Sequence, residues 1–291
     1  MNTQGKLLLN EPMRRHTSWR VGGAADRLYI PSGLEDLQQF LRGLPPGEAV
    51  HFVGLGSNLL VRDGGVRGTV VLMRDALTEL RFEGTNVYAE AGVTCAKLAK
   101  FAAREHLRGA EFLAGIPGTV GGALAMNAGC FGGETWGIVN RAFTIDRHGN
   151  VLQRSQTEME VGYRHVALPG EEWFVAAWFQ LRAGESGEAE EKIKALLAKR
   201  LATQPLNLPN AGSTFRNPAG DFAARLIEAS GLKGYRIGGA QVSELHANFI
   251  VNTGDATADD IERLIAHMRD EVLQKQGVEL QREVKIIGEK S

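Results

Sequence analysis

The sequence predicts an α+β protein built as two or three compact units. Three observations carry that expectation. The chain has 291 residues, more than one typical domain holds. Its apolar residues, 43% of the total, are enough to build real cores. Its strand-type and helix-type segments follow one another irregularly, without the regular alternation of a doubly wound sheet. No repeat or low-complexity segment interrupts them.

The elements read in order as follows. Residues 32–44 form a helix: Ser32 and Glu35 make a capping-box pattern, and Leu34, Leu37, Phe40, Leu41 and Leu44 share one face. Short β-type runs follow at 49–53, 69–73 and 87–89. Thr94 opens a second amphipathic helix that reaches Leu107. A glycine-rich segment then occupies 109–137. Residues 141–155 read as a hairpin turning at Arg147-His148-Gly149-Asn150, and 173–181 are strongly β-forming. A charged helix at 188–202 is closed off by Pro205 and Pro209, where the main domain boundary is expected. A helix at 221–230 has Gly231 as its cap, and 247–251 read as a strand. Thr257 and Asp260 box the last helix, which turns Ile261, Leu264, Ile265, Met268 and Val272 to a core and ends at Gly277. Residues 278–287 are expected as a final strand.

Composition excludes several classes. Net charge is −1 with no block of one sign, so neither nucleic acid nor an anionic membrane surface is an expected partner. The longest apolar run near the start is Leu7-Leu8-Leu9, too short for a signal-peptide core. No apolar stretch approaches the roughly 20 residues that cross a bilayer. Cys95 and Cys130 make no disulfide framework, and reduced thiols in a cytoplasmic protein are the expectation. The seven histidines show no metal-ligand spacing, and no nucleophile elbow or Cys-His pair is present. The unusual figure is glycine, 36 residues against a background of about 7%, and these glycines cluster.

Val53-Gly54-Leu55-Gly56-Ser57-Asn58 follows an expected strand. Its glycines and short polar residues suit a tight turn whose N–H groups face an anion, although a plain strand-to-loop turn also needs glycine. Gly115-Ile116-Pro117-Gly118-Thr119-Val120-Gly121-Gly122-Ala123, continuing to Gly129, lets a flat or phosphorylated ligand approach the backbone. The alternative, a mobile linker, is disfavoured by Ile116, Val120, Leu124 and Met126. Neither a Walker loop nor a Gly-x-Gly-x-x-Gly turn of a βαβ unit is present. Three further positions read as ordinary in isolation. Arg164 sits in a turn and would usually be solvated. Ser213 lies in a proline-bounded loop where any turn can carry a serine. Glu283 alternates with Leu280, Arg282, Val284 and Ile286, sharing a face with Gln281 and Lys285 as one polar strand edge.

Taken in order and spacing, these pieces resemble the UDP-N-acetylenolpyruvoylglucosamine reductase (MurB) family. The likeness begins at His16-Thr17-Ser18-Trp19-Arg20-Val21-Gly22-Gly23-Ala24-Ala25 and continues through residues 54–58 and 115–129, Gly162-Tyr163-Arg164-His165 and the 211–218 loop. It ends with Gly234-Tyr235-Arg236-Ile237-Gly238-Gly239-Ala240-Gln241-Val242-Ser243, His246-Ala247-Asn248-Phe249-Ile250-Val251-Asn252 and residues 280–288. Only eight residues separate Arg164 from Trp173, which resembles the subtype lacking an extra tyrosine-bearing loop.

The resemblance implies two small α+β subdomains of the PCMH/VAO-type FAD-binding architecture, residues 1–80 and 81–203, and a C-terminal α+β UDP-sugar-binding domain at 204–291. It implies FAD held non-covalently by Arg20, Gly54, Gly56, Ser57, Asn58, Gly115, Ile116, Pro117, Gly118, Thr119, Gly121, Gly122, Ala123, Asn127, Ala128 and Gly129. NADPH is the implied hydride donor and UDP-N-acetylglucosamine enolpyruvate the implied substrate, in a cytoplasmic monomer serving peptidoglycan precursor synthesis without a metal. Ser213 is the implied proton donor, Arg164 and Glu283 stabilise the intermediate, and Tyr163, Asn217 and Lys285 lie near the substrate.

That chemistry suits the residue types. Hydride can add to the terminal carbon of an enolpyruvyl group only if charge developing on the conjugated carboxylate is stabilised, and arginine binds a carboxylate with two parallel hydrogen bonds. Glu283 either orients Arg164 or, with its pKa raised by burial, donates a hydrogen bond itself. Two rivals share part of the pattern: another FAD-dependent oxidase or dehydrogenase of the same architecture, and a non-catalytic nucleotide-sugar-binding protein. Both would lack at least one of Ser213, Arg164 and Glu283 in these contexts.

Overall fold

Six α-helices are set among short strands in the computed structural model, which describes residues 4–291: α1 Leu34–Arg42, α2 Cys95–Arg104, α3 Val120–Met126, α4 Glu188–Thr203, α5 Ala223–Ala229 and α6 Ala258–Gln276. Strand pairing is mainly antiparallel and the order of elements irregular, which is the α+β class expected. The chain divides into two units. The first runs to Leu8 and takes in Leu28–Leu55 and Val70–Arg200; the second comprises Leu9–Arg27, Gly56–Thr69 and Leu201–Ser291.

The first unit is organised by a five-stranded antiparallel sheet in the order Val151–Arg154, Val139–Asp146, Glu172–Gln180, Asn86–Glu90, Leu80–Glu83. The expected 141–155 hairpin supplies two of these strands, and Asp146 closes its turn by accepting the amides of His148 and Asn150, both at 2.8 Å. One core packs Leu98, Ala102, Leu113, Val120, Leu124, Phe179 and Ile193 together. A second joins Leu37, Phe40 and Leu41 of α1 to Tyr29, Val71 and Val175. The apolar face expected of the first helix is therefore the buried one. Its capping box is not formed: Gly33 is the N-cap, and the amide of Ser32 donates instead to Asp36 Oδ2 at 2.9 Å. Asp36 also accepts from Tyr29 Oη and the amide of Gln4, so it takes the role expected of Glu35. In α2 the expected cap is present, Thr94 Oγ1 accepting the amide of Lys97 at 3.2 Å.

The second unit is built round α6 and α5. Thr257 and Asp260 cap α6 reciprocally, Asp63 accepts the amides of Ala258 and Asp259 at 3.1 and 2.9 Å, and Gly277 ends the helix at φ +70°. Gly231, at φ +75°, closes α5 in a Schellman arrangement: its amide reaches Glu228 O, and the amide of Leu232 reaches Ile227 O. The core gathers Ile261, Leu264, Met268, Leu226, Phe215 and Val242 around Trp19. Trp19 Nε1 donates to Ile250 O at 2.8 Å, and Asn252 Nδ2 donates to Trp19 O at 2.9 Å. Segments before residue 70 thus pack with the last third of the chain. The expected strand at 278–287 is mostly irregular. Only Lys285–Ile287 forms a ladder, parallel to Leu59–Val61, because the residues before it face the 214–216 loop, which offers one isolated bridge at Phe215 and Arg282.

Candidate active site

In the first unit the 115–129 segment is an ordered structure, as its apolar residues led one to expect. Its backbone is laced to the 91–95 segment: the amides of Cys95, Val120 and Gly121 donate to Gly118 O, Val93 O and Ala91 O at 2.9, 2.8 and 3.0 Å. Much of its bareness serves this close packing. A Cβ on Gly121 would lie 2.9 Å from that of Ala91, and one on Gly54 would lie 2.4 Å from Thr119 Oγ1. Gly122 differs: it is exposed, and a Cβ there would meet nothing nearer than 3.8 Å. Ala123 is buried in the core, whereas Ile116 is half-buried and Pro117 exposed. Ala128 O accepts both the amide and the hydroxyl of Thr135.

Arg164 stands at the tip of the hairpin formed by Glu160–Gly162 and His165–Ala167, at φ +53°. Its guanidinium donates from Nη1 to Asn127 O at 3.3 Å and from Nη2 to Gly129 O. The side chain of Asn127, 3% exposed and itself left-handed at φ +44°, donates to Gly162 O at 3.0 Å and to Glu134 at 3.1 Å, and accepts the amide of Trp136. Asn127 therefore knots the glycine-rich loop to the turn that carries Arg164, a role with no local sequence signal. Tyr163 is exposed, with the Arg164 guanidinium 5.1 Å from its ring centre. Cys130, just beyond the loop in sequence, packs against Gly115 and donates to Phe112 O at 2.9 Å. Burial pushes its thiol up to about 11 and that of Cys95 up to about 12, so both are protonated at neutral pH.

The second unit holds the rest of the first glycine turn. Gly56 has φ +61°, and a Cβ on it would lie 2.0 Å from His16 O, so no other residue fits there. The amides of Gly56 and Ser57 make no hydrogen bond among the described residues and are available to an anion. Arg20 is exposed and left-handed at φ +60°. Asn58 grips the end of the chain from both sides: Nδ2 donates to Glu283 O at 3.1 Å, and its carbonyl accepts the amide of Lys285 at 3.0 Å.

The Ser213 loop is bonded to that same C-terminal segment. The amide of Glu283 donates to Thr214 O at 2.9 Å, and the amide of Arg216 donates to Gln281 O at 2.8 Å. Thr214, the residue after Ser213, is thereby bonded to Glu283, far away in sequence. Asn217 Oδ1 accepts the amide of Ala223 at 3.1 Å and so caps the start of α5, while Lys285 is exposed at the start of its strand. Arg164 belongs to the first unit, and Ser213, Asn217, Glu283 and Lys285 to the second.

In the second unit the unpartnered amides of Gly56 and Ser57 fit a phosphate group; in the first, the ordered glycine-rich bed, bare of side chain at Gly122, fits close approach of a flat ligand. A model of the FAD binding domain matches residues 25–153, and the class is that of FAD-binding flavoproteins. A second model, described as the C-terminal domain of UDP-N-acetylenolpyruvoylglucosamine reductase, matches residues 204–287. The chain is 58% identical to the reductase of that name from Thiobacillus denitrificans, over 99% of this chain and 94% of the relative. It is 59% identical to that from Alkalilimnicola ehrlichii, over 98% and 96%. The crystal structure of the Thermus caldophilus enzyme superposes with a TM-score of 0.84 at 31% identity, covering 98% of this chain and 99% of that one. The chain belongs to the UDP-N-acetylenolpyruvoylglucosamine reductase family.

Proposed function

We infer that this chain is an NADPH-dependent flavoenzyme that reduces the enolpyruvyl group of UDP-N-acetylglucosamine enolpyruvate to give UDP-N-acetylmuramate for peptidoglycan. The observation that carries this reading is the match, over nearly all of both chains, to reductases at 58–59% identity. The purified protein should be yellow with a flavin spectrum and should oxidise NADPH only when the enolpyruvyl-UDP-sugar is supplied. NADPH oxidation indifferent to that substrate would overturn it.

The roles of individual residues are proposed on chemistry. FAD, when bound, supplies the hydride path from NADPH to the substrate's terminal carbon. The amides of Gly56 and Ser57 and the exposed backbone at Gly122 are the groups proposed to hold it. Arg164 neutralises the substrate carboxylate as charge develops there. Ser213 delivers a proton to the carbon next to that carboxylate. Serine is a poor acid in water, so this works only against a strongly basic, enolate-like intermediate and from a fixed position. Glu283 joins the network that stabilises the intermediate. Tyr163, Asn217 and Lys285 are proposed near the substrate. The division of labour proposed is 1–80 and 81–203 for FAD and 204–291 for the UDP-sugar, in a monomer working in the cytoplasm. No helix among the described residues is long and apolar enough to cross a membrane.

Two expectations test the cofactor reading. Acid precipitation should release all the flavin into the supernatant, since both thiols are protonated and Cys130 is bonded to Phe112 O. Flavin retained in the pellet would contradict non-covalent binding. Gly56→Ala places a methyl group against His16 O in a left-handed backbone that costs a side chain about 1–2 kcal/mol. The turn must then shift and turn its amides away. The flavin-to-protein absorbance ratio should fall with the fold retained by circular dichroism; an unchanged ratio would remove this turn from cofactor binding.

A further inference from the structure

Asn248 is buried, 3% exposed, just before the strand Ile250–Asn252. It grips two successive residues of the loop that carries Ser213. Its carbonyl accepts the amide of Thr214 at 2.8 Å. Its Oδ1 accepts the amide of Phe215 at 3.0 Å, and its Nδ2 donates to the carbonyl of Phe215 at 2.8 Å. A side-chain amide that bonds both the N–H and the C=O of one residue imitates a residue of a neighbouring strand and fixes the peptide planes on either side. On the opposite flank the same loop is bonded to the Glu283 segment through Thr214 O and the amide of Arg216.

Ser213 lies at the head of this doubly bonded stretch and is half-buried. Its hydroxyl makes no hydrogen bond among the described residues. No partner therefore aims the hydroxyl directly; the backbone that follows it does so. Among the described residues, Asn248 is the one side chain bonded to the backbone of residues 214–216. Asparagine suits the task because it offers both a donor and an acceptor at the length of one peptide unit. Aspartate lacks the donor, and glutamine sets both atoms one methylene further out.

We propose that Asn248 is the positioning residue of the Ser213 hydroxyl, holding it where a proton can be delivered to the substrate carbon. The proposal rests on the reading of Ser213 as proton donor. A serine must act from a fixed point, and displacement of about 1 Å can lower a rate by about 10²-fold.

The test uses flavin-loaded protein and stopped-flow measurement of the two half-reactions, reduction of the enzyme by NADPH and its reoxidation by the enolpyruvyl substrate. Asn248→Ala should leave the first half close to the wild-type rate, slow the second by about 10²-fold and raise the solvent deuterium isotope effect on it. Added to Ser213→Ala, it should cost little more, because there is then no hydroxyl to position. Asn248→Asp is isosteric, keeps the bond from the Phe215 amide and turns the other into an oxygen–oxygen contact. It should slow the second half selectively even where the alanine variant does not fold. Normal second-half rates in both Asn248 variants, equal slowing of both halves, or losses that multiply in the double variant would each overturn the proposal while leaving Ser213 in its role. A Ser213→Ala enzyme with an unchanged second half would remove the proton-donor reading, and this inference with it.

Discussion

Ser213→Ala should leave flavin binding and its bleaching by NADPH near normal, while slowing reoxidation by the enolpyruvyl substrate about 10²–10⁴-fold, the usual worth of a positioned general acid. At ~1.36 kcal/mol per decade this is roughly 3–5 kcal/mol of barrier. The separation follows from the stoichiometry of the cycle. Only the second half places a proton on carbon. The structure makes the substitution a clean one. Ser213 Oγ has no hydrogen bond among the described residues, so alanine removes no bond that holds the loop. The loop is fixed instead through Thr214, Phe215 and Arg216, whose backbone bonds survive the change. Equal slowing of both halves would point to a displaced loop or lost flavin. Unchanged reoxidation would remove Ser213 from the mechanism.

What the sequence made legible was what is decided locally. Thr94, Thr257 with Asp260, Gly231 and Gly277 act at helix ends as expected, because a cap and the amides it satisfies lie within three or four residues of each other. The one cap that failed shows the limit. Ser32 and Glu35 carry the right spacing, but Asp36 gathers Gln4, Tyr29 and Ser32, and one of those partners comes from 32 residues away. The final strand failed for a related reason. Leu280 and Val284 are buried but Arg282, on the face that alternation gives them, is exposed, and alternation says nothing of whether a hydrogen-bonding neighbour exists. A ladder begins only at Lys285, where Leu59–Val61 runs alongside. The site was legible in the same uneven way. Arg164, Ser213 and Glu283 read as ordinary in isolation, and their chemistry is what the family resemblance implies. The residues that hold them, Asn127 and Asn248, look like any polar residue in an apolar run, and their partners are 35 and 33 residues distant.

Arg164→Lys keeps the charge and should still lower kcat by about 10²–10³-fold, the loss that follows removal of one preorganised donor at developing charge. The backbone contributes nothing to this difference, since arginine and lysine suffer alike at φ +53°. The difference lies in the head group. The guanidinium spans two carbonyls of the glycine-rich loop, Asn127 O and Gly129 O, with separate nitrogens in one rigid plane. That plane fixes the direction of the donors proposed to meet the substrate carboxylate. A lysine ammonium is a single mobile point and cannot hold two carbonyls while presenting a two-pronged face to a third group. The competing account is that Arg164 only pins the loop. In that case lysine would weaken flavin binding, and the fraction of enzyme that retains flavin would turn over normally. Measuring kcat per bound flavin separates the two. A near-normal value per flavin, with reduced flavin content, would make Arg164 a support of the loop and remove it from the stabilisation of the carboxylate.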